Sequence, residues 1–255
     1  LAELAELLPR GRAPIVVDED DRPPLTLAVV VDVSGSMDAD FKIDYVRDGL
    51  EKLVLALNDD DRVAIITYET SARVVQPMID VRGNRNDLVD IVQGLATAGS
   101  TNLHDGLLVG YRELMAHWDS GRQNRVILLS DGNPTIGTTD PTAILAMSKG
   151  YNSDGIGLTT IGIGTDFNLS LMQGLAEQAD GNFYFLESAT AVEEVFTEEL
   201  AYFTLPVAFD VTLEVKSGPF FQVERISGSK RMVMADGDAK LELPSVFFAH
   251  RKAHD

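Results

Sequence analysis

Leu25-Thr26-Leu27-Ala28-Val29-Val30-Val31-Asp32-Val33-Ser34-Gly35-Ser36-Met37 is the stretch that decides how this chain folds. Leu25 to Val31 is an almost unbroken apolar run ending in branched residues, which reads as a central strand buried on both faces, as in a parallel sheet. Such a strand has no room for a carboxylate in its interior, so Asp32 is expected at its carboxyl end, where the chain leaves the sheet. Small and hydroxylated residues follow, and a periodic helix begins about Phe41. An acid and two hydroxyls at alternate positions are thereby held above the carboxyl edge of the sheet, where open α/β sheets bind ligands. Carboxylate, hydroxyl and water oxygens suit a hard cation, Mg²⁺ first, with Mn²⁺ or Ca²⁺ as alternatives. The competing local reading is an ordinary strand-to-helix turn in which Ser34 or Ser36 caps backbone donors.

Beyond this loop, Ile43, Val46, Leu50, Leu53, Val54 and Leu57 recur at three- and four-residue steps and mark an amphipathic helix that ends at Asn58-Asp59-Asp60-Asp61. Arg62 to Tyr68 reads as the second strand and Ala72 to Ile79 as the third. The turn Glu69-Thr70-Ser71 between them is so short that it permits only antiparallel pairing, which makes the third strand the edge. A short helix is expected over Asn86 to Leu95 with Asn86 as its cap, a longer one over Leu103 to Trp118, and a strand over Arg125 to Leu129. Helices at Pro141 to Tyr151, Leu169 to Ala179 and Ala191 to Phe203 then alternate with strands at Gly157 to Gly164 and Asn182 to Leu186. That rhythm predicts an α/β domain with a doubly wound, mostly parallel, six-stranded sheet over residues 25–204.

From Leu205 the period changes to two. Phe209 to Lys216 alternates apolar and polar, and Phe220 to Ile226, Arg231 to Met234 and Ala239 to Leu243 read as further short strands. Residues 205–255 therefore form a smaller β-rich appendage, too short to hold a sizeable core alone. It is expected to pack on the sheet domain, to use the entry segment 1–24, or to be cut short. In that entry segment Leu1, Leu4, Leu7 and Leu8 have helical spacing before Pro9, Gly11 and Pro14 break it.

The 255 residues carry 21 Lys+Arg against 40 Asp+Glu, a formal charge of −19. Phosphate binding is driven by Lys and Arg releasing counterions, so this balance argues against nucleic acid and against unaided attraction to anionic lipid. With no cysteine, disulfides, thiolate catalysis and thiolate zinc sites are excluded. No apolar run reaches the ~18 residues of a membrane span. The chain begins with Leu and shows no signal peptide, as expected of a trimmed or internal fragment.

Two further segments accompany the first loop. Gly99-Ser100-Thr101-Asn102-Leu103 precedes a helix, and Ser130-Asp131-Gly132-Asn133-Pro134 follows the apolar strand Val126 to Leu129. Together with Asp32-Val33-Ser34-Gly35-Ser36 they resemble the metal-ion-dependent adhesion site of von Willebrand factor type A domains, over residues 25–204. The runs Asp131 to Gly137 and Thr160-Ile161-Gly162-Ile163-Gly164 are similar to bacterial members, with inter-alpha-trypsin inhibitor heavy chains and calcium-activated chloride channel regulators as related arrangements. The resemblance implies metal ligation by Ser34 and Ser36 directly, by Asp32 through bound water, and by Thr101 and Asp131 directly or through water. It also implies an open coordination position completed by an acidic residue of a protein partner, and a final helix, Ala191 to Phe203, whose shift accompanies rearrangement of the metal loops.

The expected function is accordingly a divalent-metal-dependent protein-binding module for adhesion or assembly, not an enzyme. It would sit at the cell surface, in the periplasm or outside the cell, with the cytoplasm as the alternative. Rival readings are an intracellular assembly subunit coupled to an ATPase or chelatase, and a metal-dependent hydrolase. Other polar residues carry less. Asp105 could orient the second loop or be a solvated helix-start acid, and Asp38 and Asp40 read as exposed loop. His250 and His254 lack a third ligand, and His104 and His117 lack a paired nucleophile. Asn168-Leu169-Ser170 is a glycosylation sequon that has meaning only in a eukaryotic secretory setting. Gly162-Ile163-Gly164 lacks the third glycine of a dinucleotide loop.

Overall fold

The computed structural model describes residues 23–164, 166–178, 181–186, 195–196, 206–218, 232–235 and 237–247. Strand β1 (Leu25–Asp32) is buried along its whole length. Its alternate side chains enter two different cores, as the period of two requires. Leu27, Val29 and Val31 pack with residues of helices α1 (Lys42–Ala56) and α2 (Arg85–Gln93). Ala28 and Val30 face the other way, toward α3 (Leu103–Met115), α4 (Pro141–Ser153) and α5 (Leu169–Gln178). The apolar run therefore carries no polar alternation because neither face meets water.

The sheet is six-stranded, in the order β3-β2-β1-β4-β5-β6, with β2 (Arg62–Tyr68), β3 (Ala72–Asp80), β4 (Gln123–Ser130), β5 (Gly157–Ile163) and β6 (Phe183–Leu186). All neighbours pair in parallel except β2 and β3, so β3 is the antiparallel edge expected from its three-residue turn. β1 lies between β2 and β4, and the register sets Asp32 beside Tyr68 and Val31 beside Leu129. The carboxyl ends of these three strands are therefore level. The chain winds one way from β1 to β2 and the other way from β4 onward, so the crevice above β1 and β4 is the topological switch point. Helix α3 lies close against this centre: a Cβ at Gly110 would come within 2.3 Å of Val30 Cγ2, and one at Gly106 within 2.5 Å of the Tyr68 ring. Only glycine permits that approach.

One boundary differs from expectation in its cause. Helix α2 begins at Arg85 with Asn84 in the cap position, so Asn86 lies inside the first turn and caps nothing. The chain turns at Gly83, whose φ of +80° sets where the helix can start. The expected final helix falls outside the described residues except for Val195 and Phe196, both buried in the α1 and α2 core.

The change of period after Leu205 corresponds to a separate three-stranded antiparallel sheet, ordered β7-β9-β8, of β7 (Pro206–Val215), β8 (Met232–Ala235) and β9 (Asp238–Phe247). The register pairs Val211 with Leu243, Leu213 with Leu241 and Val215 with Ala239, while Met232 and Met234 sit opposite Leu241 and Ala239. Val211, Leu213 and Val215, at alternate positions of β7, thus share one face of this sheet. Leu213 and Val215 on that face are about half exposed. The expected strand at Phe220 to Ile226 and the entry segment up to Arg22 lie outside the described residues.

Candidate metal centre

Three loops meet above the carboxyl ends of β1 and β4. The first leaves β1 at Asp32, which together with Ser34 is fully inaccessible, while Ser36 is exposed. Ser34 N donates to Asp32 Oδ1 at 2.9 Å, a local turn that folds the loop back over its own acid. Asp32 Oδ2 accepts from Ser130 Oγ at 3.1 Å. The Ser34 and Ser36 hydroxyls lie 3.2 Å apart, and Ser36 Oγ donates to Asp131 Oδ1 at 2.8 Å. The Ser34 and Ser36 hydroxyls and the Asp131 carboxylate are therefore linked oxygen to oxygen, and Asp32 joins them through the Ser34 amide. Ser34 sits at the head of the 3₁₀ segment Gly35–Phe41 without a side-chain capping bond, so the two hydroxyls face the acids rather than the helix.

The loops are held by backbone bonds. Gly35 N donates to Gly99 O at 3.2 Å and Ala98 N to Val33 O at 2.7 Å, which seats the second loop on the first. Thr101 N donates to Thr135 Oγ1 and Thr135 N returns a bond to Thr101 O, both at 2.9 Å. Thr101 is thus locked between the second and third loops and is buried. Hydrogen bonds bring four of the five expected residues together. Asp32, Ser34, Ser36 and Asp131 share the hydrogen-bond chain, and Thr101 is tied by its backbone to Thr135 of the third loop.

Burial pushes the Asp32 carboxyl up to about 6, and the nearby Asp131 charge pushes the same way against the hydrogen bonds from Ser34 and Ser130. The Tyr68 phenol, wholly buried beside these acids, is driven well above its ordinary range by burial and then by Asp32. Its hydroxyl donates to Leu129 O at 3.1 Å. Two acids out of water and close together form a site that favours positive charge. The donors are all oxygens, two from carboxylates and three from hydroxyls, and they fit a hard divalent cation that retains water. No group of three or more His, Cys, Asp or Glu gathers among the described residues, so a nitrogen or all-carboxylate cage has no candidate there.

Several neighbours escaped the sequence reading. Ser130 supplies a bond to Asp32, Thr135 ties Thr101, and Lys42 Nζ donates to Asp131 Oδ2 at 2.8 Å. Lys42 could have been found, since it precedes Val46, Leu50 and Leu53 at helical steps on the buried stripe of α1. Asp105 accepts from Ala72 N at 2.9 Å and so fastens the start of β3, while its own N donates to Asn102 Oδ1 of the second loop at 3.3 Å. Asp38 and Asp40 are exposed, as expected. Asn168 Oδ1 accepts from Leu171 N at 3.0 Å, a helix-start cap for α5. His250 and His254 lie outside the described residues.

A doubly wound α/β domain with an oxygen-donor cluster at its switch point defines the class. The chain belongs to the von Willebrand factor type A domain family, whose model matches residues 26–198. It is 28% identical over 220 residues to the uncharacterised protein YfbK of Escherichia coli strain K12, covering 85% of this chain and 38% of that protein. It is 29% identical over 160 residues to human inter-alpha-trypsin inhibitor heavy chain H4, covering 60% of this chain and 17% of that one. The chain thus spans well under half the length of these relatives. Among solved structures, a von Willebrand factor type A protein from Catenulispora acidiphila superposes with a TM-score of 0.66 at 19% identity, covering 88% of this chain and 55% of that one. Proximal thread matrix protein 1 of the mussel byssus, with a zinc-occupied adhesion motif, gives 0.57 at 21% identity, covering 70% and 45%. No helix among the described residues is long and apolar enough to cross a membrane.

Proposed function

We propose that this chain is a divalent-metal-dependent protein-binding module. Asp32, Ser34, Ser36, Thr101 and Asp131 hold the cation, Mg²⁺ in the first place, and a carboxylate of the protein partner completes its coordination. The observation that carries this reading is the cluster itself: two buried acids, Asp32 bonded to the Ser34 amide and Asp131 to the Ser36 hydroxyl, with the two serine hydroxyls 3.2 Å apart and the group opening to solvent at Ser36. Hydroxyls rotate, so donors now turned on one another can be re-aimed at an ion without moving the backbone. A bound cation with few direct carboxylates keeps much of its positive charge and attracts an incoming carboxylate. The zinc-occupied motif of the mussel protein supports the capacity of this fold to hold a divalent ion at such a place. The role is binding, in adhesion or assembly, and no catalytic residue is assigned. A setting at the cell surface, in the periplasm or outside the cell suits it.

Titration calorimetry of the chelator-stripped protein tests the proposal. One Mg²⁺ or Mn²⁺ per chain is expected, released by chelator, and lost in Asp32→Ala while the fold survives. Absence of heat with either ion would refute it.

A further inference from the structure

We propose that Lys42 is a resident counter-cation of the metal centre: its ammonium holds Asp131 when no ion is bound and lowers the affinity for the ion that arrives. The inference rests on the metal-binding reading above. Lys42 is only 7% exposed, and its Nζ lies 2.8 Å from Asp131 Oδ2, whose side chain is wholly buried. Asp131 is therefore divided. One oxygen accepts from Ser36 on the donor side and the other from the ammonium behind it.

The surrounding backbone is shaped to admit this ammonium. Immediately before Lys42, Asp40 and Phe41 are the two non-glycine residues with positive φ among the described residues, at +53° and +58°. These left-handed conformations are unfavourable for side-chain-bearing residues, and here they turn the chain so that α1 begins with Lys42 pointing inward. From the far side, Gly164 follows β5 with φ +69°, and a Cβ there would stand 2.9 Å from Lys42 Cε. This gives the second glycine of Thr160-Ile161-Gly162-Ile163-Gly164 a physical role: it leaves room for the lysine stem. Its companion Gly162 instead makes space for the Phe167 ring, 2.6 Å from where its Cβ would be.

The electrostatic consequence has a definite sign. Two ionised acids alone would present a charge of −2 to an incoming ion; with the ammonium the centre carries −1. The buried acid is less costly to keep charged without metal, and a divalent ion meets a like charge close by. Once loaded, the centre is net positive rather than neutral, which is what capture of an anionic group requires.

Lys42→Met, which keeps the stem and removes the charge, tests this in the full chain at pH 8 with Mn²⁺ as the probe. Two shifts in opposite directions are expected. In chelator the melting temperature falls by several degrees, and the Mn²⁺ dissociation constant tightens about tenfold or more. A lysine serving only as packing would leave Mn²⁺ binding unchanged in a variant that keeps its stem, so unchanged or weaker Mn²⁺ binding overturns the proposal. If the variant is unfolded in chelator, refolding by Mn²⁺, followed by circular dichroism, supports it, and failure to fold at saturating Mn²⁺ overturns it. A wild-type chain that binds no Mn²⁺ refutes the function proposed above. If Lys42→Met then binds Mn²⁺, the counter-cation stands, and if neither binds, both fall.

Discussion

Asp61 and Asp32 mark opposite ends of β1 and are equally inaccessible, yet they are held in different ways. Asp61 accepts from Leu25 N at 2.8 Å through Oδ1 and from Asn58 N at 2.7 Å through Oδ2. Both donors are backbone amides, fixed in place by the fold. At the other end Asp32 also takes one backbone amide, Ser34 N, but its second oxygen and both oxygens of Asp131 draw on the hydroxyls of Ser130 and Ser36 and on the tethered ammonium of Lys42. Fixed amides make a clasp, whereas rotatable groups make a receptacle. The lesson is that a buried acid is read by what donates to it, and burial alone does not separate structure from function.

The largest expected effect lies at the clasp. Asp61→Ala orphans two amide donors, one of them buried, and should cost about 3 kcal/mol or more in denaturant unfolding while leaving Mn²⁺ affinity unchanged. A shift in Mn²⁺ affinity would erase the distinction between the two ends.

Next comes Asp32→Asn. Asn can still accept from Ser34 N and donate toward Ser130, so the loop keeps its shape. Because the Asp32 value is raised when folded, the stability it contributes is complete below about pH 4 and is lost as pH climbs through about 6. In chelator, the Asn variant should match wild type near pH 4 and exceed it by roughly 3 kcal/mol at pH 7.5. It should also lose its response to metal. Equal stability at both pH values would show that the acid carries no burial cost.

Gly164→Ala should be smaller, about 2 kcal/mol destabilising, through its left-handed backbone and the approach to Lys42. The loss should shrink in a Lys42→Ala background, which removes the Cε that the new Cβ would approach. Smallest is Phe41→Gly. Phe41 is 70% exposed and has little burial to lose, so relieving its positive φ should stabilise the chain by about 1 kcal/mol. A destabilised variant would mean that the ring packs more than its exposure indicates.

The sheet domain was legible because β1 meets water on neither face and because α1 and β3 carry their burial in simple periods. The loop residues were legible for another reason: a carboxylate cannot lie inside such a strand, so Asp32 had only the strand end to occupy. Lys42 was hidden because a lysine at a helix start is ordinarily solvated, and only its place on the buried stripe of α1 marks it. Ser130 stood next to Asp131 in plain view, but a hydroxyl at a strand end has no required partner until the register sets it beside Asp32. The start of α2 was misplaced because cap preference favours either asparagine, and the choice falls to the backbone at Gly83.

β1 also has a mechanical meaning. Its amino end is fastened by Asp61 and its carboxyl end is Asp32 itself. A partner pulling on the loop at Asp32 and Ser34 would load a single extended strand, about 23 Å long at the usual rise. That tension runs through covalent bonds from the grip to Leu25 without first crossing the sheet. The parallel strands on either side, β2 and β4, resist sliding along their whole paired length rather than peeling one bond at a time.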